Sequence, residues 1–241
     1  MALITRQDNQ PVFVLHTYPF KETSLVVELF THDFGRVAAV AKGARRPRSA
    51  MRGMLQSFQP LVAAWSGKSE LRNLHSLDWG SGLLVLQGEA LICGFYLNEL
   101  LLRLLPREDE HSALFEYYAQ TLRLLATSND MATTLRRFEL KMLQELGYAV
   151  PLNEDEHGEA IDAERKYQYL PERGACHLSQ QTELANGVQL SGKTLLDMAQ
   201  DEYADSQTQQ QAKQLMRFLL AYYLGDKPLH TRQLLIDLQG L

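Results

Sequence analysis

Hydrophobic and polar residues alternate in five short segments of the first 80 residues, and this alternation predicts strands. The segments are rich in β-branched and aromatic residues, which favour strands. His32-Asp33-Phe34-Gly35 predicts a hairpin turn, because glycine readily adopts a positive φ. The predicted strands cover residues 12–17, 23–31, 36–41, 60–65 and 71–77. Five short strands in so short a segment predict a small closed barrel of the oligonucleotide-binding (OB) type.

The hydrophobic period becomes helical from about Leu83. Residues 83–105 are apolar on nearly every face, which predicts a helix at the centre of a bundle. Charged and amide side chains interrupt this run, so a buried helix is favoured over a membrane span. A small hairpin is predicted around Gly174, with Ser191 as a helix N-cap and Gly147 and Gly225 as helix ends. Further helices are predicted at residues 112–126, 131–146, 191–201, 205–224 and 230–238.

These patterns predict an α+β chain of two domains. Residues 1–80 form the five-stranded OB-type barrel, and residues 81–241 form a helical domain with an acidic loop and small hairpin at about 151–180. Charge divides the chain at the same place. The whole chain carries a formal net charge of −5, whereas residues 1–80 carry +4 and the remainder −9. Such asymmetry indicates domains with different partners.

The positive charge is concentrated in residues 34–69, which contain seven cations and no carboxylate. Charge of one sign in an acidic protein indicates a polyanion, most simply a nucleic-acid backbone. Phe34, at the predicted hairpin tip, is expected to be exposed and to stack on an unpaired base. Other aromatic residues, most of them expected in the core, are further stacking candidates: Tyr18, Phe20, Phe58, Trp65 and Trp79. The predicted binding residues are Phe34, Arg36, Lys42, Arg45, Arg46, Arg48, Arg52 and Lys68.

Catalytic signatures are absent from the sequence. No phosphate-binding glycine loop, G-x-S-x-G or H-E-x-x-H motif occurs. The seven histidines are scattered singly, and the carboxylates of residues 154–164 are expected to be solvated. The two cysteines, Cys93 and Cys176, are too far apart to form a metal-ligand motif, and a disulfide framework is not expected. With no apolar signal segment at the N-terminus, we predict a cytoplasmic, non-enzymatic binding protein without cofactors.

Several segments resemble the bacterial recombination mediator family RecO. In the first domain they are Val14-Leu15-His16, Lys21-Glu22-Thr23-Ser24-Leu25, Thr31-His32-Asp33-Phe34-Gly35-Arg36-Val37 and Ala41-Lys42-Gly43-Ala44-Arg45. In the second they are Tyr96-Leu97-Asn98-Glu99-Leu100-Leu101, Leu135-Arg136-Arg137-Phe138-Glu139-Leu140, Leu146-Gly147-Tyr148 and Gly225-Asp226-Lys227-Pro228-Leu229 with Thr231-Arg232. The similarity extends over nearly the full length in the same order.

The resemblance implies an N-terminal OB barrel, a helical domain and a protein of the nucleoid that is not an enzyme. Such a protein would bind single- and double-stranded DNA and anneal complementary strands. With its partner RecR it would help to load the recombinase RecA, an indirect partner, onto DNA coated by single-stranded DNA-binding protein. Many members carry a four-cysteine zinc module after the Leu-Gly-Tyr segment. Here residues 151–176 contain one cysteine, so we predict no zinc.

The resemblance also implies contact with the acidic, apolar-ended C-terminal tail of single-stranded DNA-binding protein. Helical periodicity places Leu135, Phe138, Met142 and Leu146 on the core face of the helix 131–146. Arg137 is then expected in solvent. We predict that Arg136 binds the tail carboxylate while Leu140 and Leu143 line its pocket. The alternative is that Leu140 packs on a neighbouring helix and Arg136 pairs with a carboxylate of the protein.

Two other functions remain open from the sequence. Small barrels with basic loops also bind RNA, so an RNA-binding or translation-associated adaptor is the alternative. A nucleic-acid enzyme with Mg²⁺ in the acidic loop is a third, although that loop and the basic stretch fall in different predicted domains.

Overall fold

The computed structural model describes residues 6–148, 151–178, 187–225 and 228–231. Its chain divides into two compact units. The first comprises Met1–Asn129 with Leu229–Leu241, and the second comprises Asp130–Pro228. This division falls within the helical region, whereas the predicted domain boundary follows the change from strands to helices.

The first unit contains a closed five-stranded barrel. Its strands are β1 (Arg6–Phe20), β2 (Ser24–Thr31), β3 (Gly35–Ala41), β4 (Leu61–Ser66) and β5 (Leu71–Trp79). They follow the order β1-β2-β3-β5-β4, with β3 parallel to β5 and the other pairs antiparallel. The predicted OB-type barrel is confirmed, and each of its five strands lies where the alternation predicts it.

The alternation exists because one face of each strand fills the barrel. In β2, Val27 and Leu29 point inward and are fully buried, and Val37 and Ala39 do the same in β3. The register of β1 shifts between Val14 and His16. The carbonyl oxygen of Leu15, within this shift, accepts a hydrogen bond of 2.9 Å from Asn98. The remaining core residues are Val12, Val14, Ala41, Ala44, Leu61, Ala63, Trp65, Leu74 and Leu77.

In the described part of the chain, the same unit contains the helices α1 (Met51–Met54), α2 (Gly88–Leu104) and α3 (Ser112–Thr127). The rings of Phe13 and Phe30, which face out of the barrel, contact Phe115 and Tyr118 of α3. The Tyr118 hydroxyl donates a hydrogen bond of 2.5 Å to Asn98, so one buried polar chain joins β1, α2 and α3. The predicted helix 83–105 starts too early, since Leu83 and Val85 are exposed outside α2. None of the helices in the described residues is long and apolar enough to cross a membrane.

The second unit combines helices with a small sheet. Its elements are α4 (Met131–Glu145), β6 (Lys166–Leu170), β7 (Gly174–His177), β8 (Val188–Ser191), α5 (Gly192–Ala199) and α6 (Ser206–Leu224). The strands form an antiparallel sheet in the order β7-β6-β8. The predicted hairpin is confirmed, and so is the cap of α5, because the Ser191 hydroxyl accepts a hydrogen bond from the Thr194 amide. The predicted helix 230–238 lies almost entirely outside the described residues.

Candidate nucleic-acid interface

The basic loop, residues 42–52, is fixed to one end of the barrel. Ala44 is fully buried and packs in the barrel core. The Arg45 amide donates to the Thr23 carbonyl at 2.9 Å, and its guanidinium donates to the Glu22 carbonyl at 3.2 Å. The amides of Arg46 and Ser49 close successive turns at 3.0 Å each. Ala44 thus anchors the loop to the barrel, while the long cationic side chains remain exposed to solvent.

Five cations of this loop are exposed and available. Lys42, Arg45, Arg46, Arg48 and Arg52 are all exposed, and within the described residues none of them pairs with a carboxylate. Other arginines of the first unit are engaged differently, since Arg72 binds Glu108 at 2.5 Å and Arg36 binds Glu28 at 3.2 Å. The loop therefore holds its positive charge uncompensated.

The register of β3 separates the predicted binding residues into two groups. Ala38 pairs with Leu71 in the parallel β3–β5 pair, so Lys68, three residues before Leu71, lies towards the Gly35 end of β3. The basic loop leaves β3 at the other end, after Ala41. Seven strand residues span roughly 20 Å. Arg36, Phe34 and Lys68 are therefore at the opposite end of the barrel from the basic loop.

Arg36 is held within the protein. Its guanidinium donates to Glu28 at 3.2 Å and to the Leu105 carbonyl at 2.9 Å. Glu28 also binds Arg107, and its side chain is only 4% exposed. A buried carboxylate needs such partners because desolvation of an isolated charge is costly. This group of three joins the barrel to the segment that follows α2.

Phe34 is not exposed, contrary to the prediction. It is half-buried, packs on the barrel core and meets the Trp65 ring edge-on at 5.6 Å. The turn directs the ring inward because the Phe34 amide donates to the Thr31 hydroxyl, which itself donates to the Gly35 carbonyl. Lys68 is exposed at the same end of the barrel.

Tyr18 and Lys21 join the basic loop at its end of the barrel. Tyr18 pairs with Val26, which pairs with Val40, two residues before the start of the loop. Its side chain is 46% exposed and its ring meets His16 at 4.5 Å. Lys21 is exposed in the β1–β2 turn beside the backbone groups that bind Arg45. Sequence reasoning missed Lys21 because it is followed by Glu22 and falls outside the carboxylate-free stretch.

The predicted core face of α4 is confirmed for Phe138 and Met142, which are fully buried, and is wrong at its two ends. Leu140 and Leu143 are buried, whereas Leu135 and Leu146 are only partly buried. Arg136 pairs with the buried carboxylate of Glu139 at 2.5 Å. The alternative interpretation, in which Arg136 pairs with a carboxylate of the protein itself, expects such a contact. Arg137 is also not free in solvent, since it binds Asp201 at 2.7 Å. The role of Arg136, Leu140 and Leu143 in binding a partner tail stays a prediction.

A four-cysteine zinc module does not fit this chain. Of its two cysteines, Cys93 lies in α2 of the first unit and Cys176 in β7 of the second. Burial, with Glu156 nearby, raises the pKa of Cys176 to about 11. Two cysteines cannot supply the four thiolate ligands that such a module requires.

The family comparisons cover both parts of the chain. The model of the recombination protein O N-terminal region matches residues 5–82, and that of the C-terminal region matches residues 86–233. A DNA repair protein RecO of Nitrosospira multiformis is 55% identical over 237 residues, which are 98% of each chain. The RecO of Dechloromonas aromatica is 49% identical over the full length of both chains, and that of Burkholderia orbicola is 51% identical over 98% of this chain and 84% of its own. The chain has an OB-type barrel followed by helices, and it matches RecO proteins over this length and at this identity. It therefore belongs to the RecO family of DNA repair proteins.

Proposed function

We propose that this chain is a non-enzymatic recombination mediator that binds DNA through its basic loop. The observation that carries the proposal is the group of five exposed, unpaired cations on an OB-type barrel. Lys42, Arg45, Arg46, Arg48 and Arg52 would contact phosphates, and Lys21 would extend this surface. These five loop side chains form no ion pairs within the described residues, so DNA binding would not have to break any.

Counterion release supplies the free energy of such binding. Each cation that neutralises a phosphate releases condensed counterions, so the logarithm of affinity falls linearly with the logarithm of salt concentration. Phosphate contacts carry no sequence information. We therefore propose that the chain binds both single- and double-stranded DNA with little sequence preference, as annealing of arbitrary complementary strands requires.

The finer roles rest on family membership. We propose that the chain anneals complementary strands and, together with RecR, helps RecA to load onto DNA coated by single-stranded DNA-binding protein. It would contact the C-terminal tail of that coating protein, with Arg136, Leu140 and Leu143 as the proposed contacts. Because Arg136 already binds Glu139, a tail carboxylate would have to replace or share that partner.

Salt-dependent DNA binding of a loop variant tests the proposal. Replacing Arg45, Arg46 and Arg48 together by Ala should weaken binding to any DNA sequence and flatten the log–log salt slope by about 2. A matched variant, Lys166, Lys213 and Arg217 to Ala, removes three exposed cations from the second unit and controls for net charge. An unchanged slope in the loop variant, or an equal change in the control, would contradict the assignment. Competition with single-stranded RNA of equal length tests the RNA-binding alternative.

A further inference from the structure

Three potential metal ligands meet where the acidic loop of the second unit reaches β7. They are Asp155 and Glu159 of the loop and His177 at the end of β7. One ligand atom of each residue lies within 4.8 Å of those of the other two. Seventeen residues lie between Glu159 and His177 in the sequence, so the group does not form a local sequence motif.

Backbone hydrogen bonds hold Asp155 in one orientation. Its Oδ1 atom accepts hydrogen bonds from the amides of His157 and Glu159, both at 2.9 Å. The Asp155 amide donates to the Glu159 carbonyl at 2.8 Å, and the Glu156 amide donates to the Ala175 carbonyl at 2.9 Å. These bonds tie the loop to β7, so the second carboxylate oxygen has a fixed direction.

That second oxygen, Oδ2 of Asp155, is buried and accepts no hydrogen bond from the residues that the structure describes. The side chain of Asp155 is only 1% exposed, and Oδ2 lies 3.0 Å from Nε2 of His177 without the alignment of a hydrogen bond. A buried carboxylate oxygen without a donor is costly, because water would otherwise solvate it. A cation shared by Oδ2 and Nε2 would remove that cost.

We propose that Asp155, Glu159 and His177 bind one divalent first-row transition ion, for which Zn²⁺ is the probe. In the tetrahedral geometry usual for Zn²⁺, donor atoms about 2.1 Å from the metal are about 3.4 Å apart, so Oδ2 and Nε2, now 3.0 Å apart, need to separate by only about 0.4 Å. An imidazole ligand favours Zn²⁺ and its neighbours over Mg²⁺, which prefers oxygen ligands and retains its water. The exposed Glu159 carboxylate closes the site, and water completes the coordination.

The ion would fasten the acidic loop to the sheet of the second unit. The loop contributes two ligands and β7 the third, so binding would cross-link them. This ligand set contains no sulfur and therefore differs from the four-cysteine zinc module. It also departs from the prediction of a metal-free protein, which considered only cysteine spacing and local clusters.

Calorimetric titration of Zn²⁺ into the full-length, tag-free, chelator-treated protein tests the site. We expect one saturable site per chain, with no comparable site for Mg²⁺. Glu159→Gln and His177→Gln should each weaken Zn²⁺ binding by about tenfold or more. Both residues are exposed, so neither substitution should prevent folding; a matching circular dichroism spectrum and unfolding midpoint without metal verify this.

His157→Gln is the matched control, since this exposed histidine lies in the same loop outside the group. The Gln backbone keeps the amide bond to Asp155, and binding should stay within twofold of the wild type. Zn²⁺ should also raise the unfolding midpoint of the wild type and of the control by clearly more than that of His177→Gln. Absence of saturable Zn²⁺ binding, or unchanged affinity in His177→Gln, would overturn the proposal. His177 would then serve only as the side chain that contacts Asp155.

Discussion

Gly35 lies directly against the main chain of Asp109. A Cβ atom at residue 35 would be 1.7 Å from the Asp109 carbonyl oxygen, and the glycine has a φ of +59°. Next to this contact the Glu108 amide donates to the Arg36 carbonyl at 3.0 Å. The β2–β3 turn and the segment after α2 therefore approach as closely as only a glycine allows.

Replacing Gly35 by Ala should destabilise the first unit. The positive φ and the clash together should lower the free energy of unfolding by about 2–4 kcal/mol, measurable by urea denaturation. Gly53→Ala is the control, because no heavy atom lies within 4 Å of its Cβ position. The control should change stability by no more than about 1 kcal/mol. Equal stability of the two variants would contradict this account of the turn.

The carboxylate of Glu99 fastens residues 230 and 231 to α2. It accepts hydrogen bonds from the amides of His230 and Thr231, at 2.8 and 2.9 Å, and from the Thr231 hydroxyl at 2.6 Å. Burial raises the pKa of Glu99, but the bonds from Thr231 and His230 outweigh it, and the net result is a lowered pKa. The ionised form is therefore the one that the folded chain stabilises.

Glu99→Gln should lower the free energy of unfolding by about 1–2 kcal/mol at pH 7. Because the folded-state pKa is depressed, this contribution is present above the unfolded pKa of about 4.3 and is lost as pH falls through the folded value. The difference between variant and wild type should then shrink below about pH 4. Urea denaturation across pH measures it, with the exposed Glu89→Gln on the same helix as control. A difference that does not depend on pH would exclude this role for the Glu99 charge.

The barrel was predictable from sequence because its determinants are local. Each strand has one face in the core, and turns with glycine separate β2 from β3 and β4 from β5. β8 escaped prediction because it is defined by its pairing with β6, a strand that lies well before it in the sequence. The predicted face of α4 was wrong at its ends because Arg136 pairs with Glu139 and lets a charged residue occupy a buried position that hydropathy assigns to apolar ones.

The candidate site also has features that follow from local sequence and features that depend on tertiary contacts. Exposure of the basic loop follows from its composition. The small Ala44 fits into the barrel core, whereas the five long cationic side chains stay in solvent. The pairing of Arg36 with Glu28 and the position of Lys68 depend on tertiary contacts and strand register. The meeting of His177 with Asp155 depends on how β7 docks against the loop. The sequence alone does not indicate any of these three arrangements.

Arg136→Glu should abolish binding of a peptide with the acidic, apolar-ended tail. The substitution replaces the proposed cation by a like charge and also opposes Glu139, which Arg136 binds at 2.5 Å. Affinity for naked DNA should stay within a few-fold, because the basic loop lies in the other unit. Fluorescence anisotropy measures both, and Lys141→Glu, on the same helix and paired only with Glu145 in the described residues, is the control. Normal peptide binding by the folded Arg136→Glu protein would place the pocket elsewhere.

Tyr18 should distinguish single-stranded from duplex DNA. Its ring is 46% exposed beside the basic loop, where an unpaired base can stack on it while a phosphate binds the loop. Stacking on one aromatic side chain is worth about 1–3 kcal/mol per base, so Tyr18→Ala should weaken binding of a single strand by roughly five- to 150-fold. Duplex bases are already stacked on each other, and duplex affinity should fall much less.

Anisotropy titrations with a labelled oligothymidylate and a duplex of equal length measure the two effects. Tyr18→Phe keeps the ring and should bind both like the wild type. Tyr222→Ala removes another exposed tyrosine, 53% exposed and in the second unit, and should leave both affinities unchanged. The salt slope should stay the same in Tyr18→Ala, because a stacking contact releases no counterions. Equal losses on single strand and duplex, or a flattened slope, would mean that Tyr18 supports the loop instead of stacking on a base.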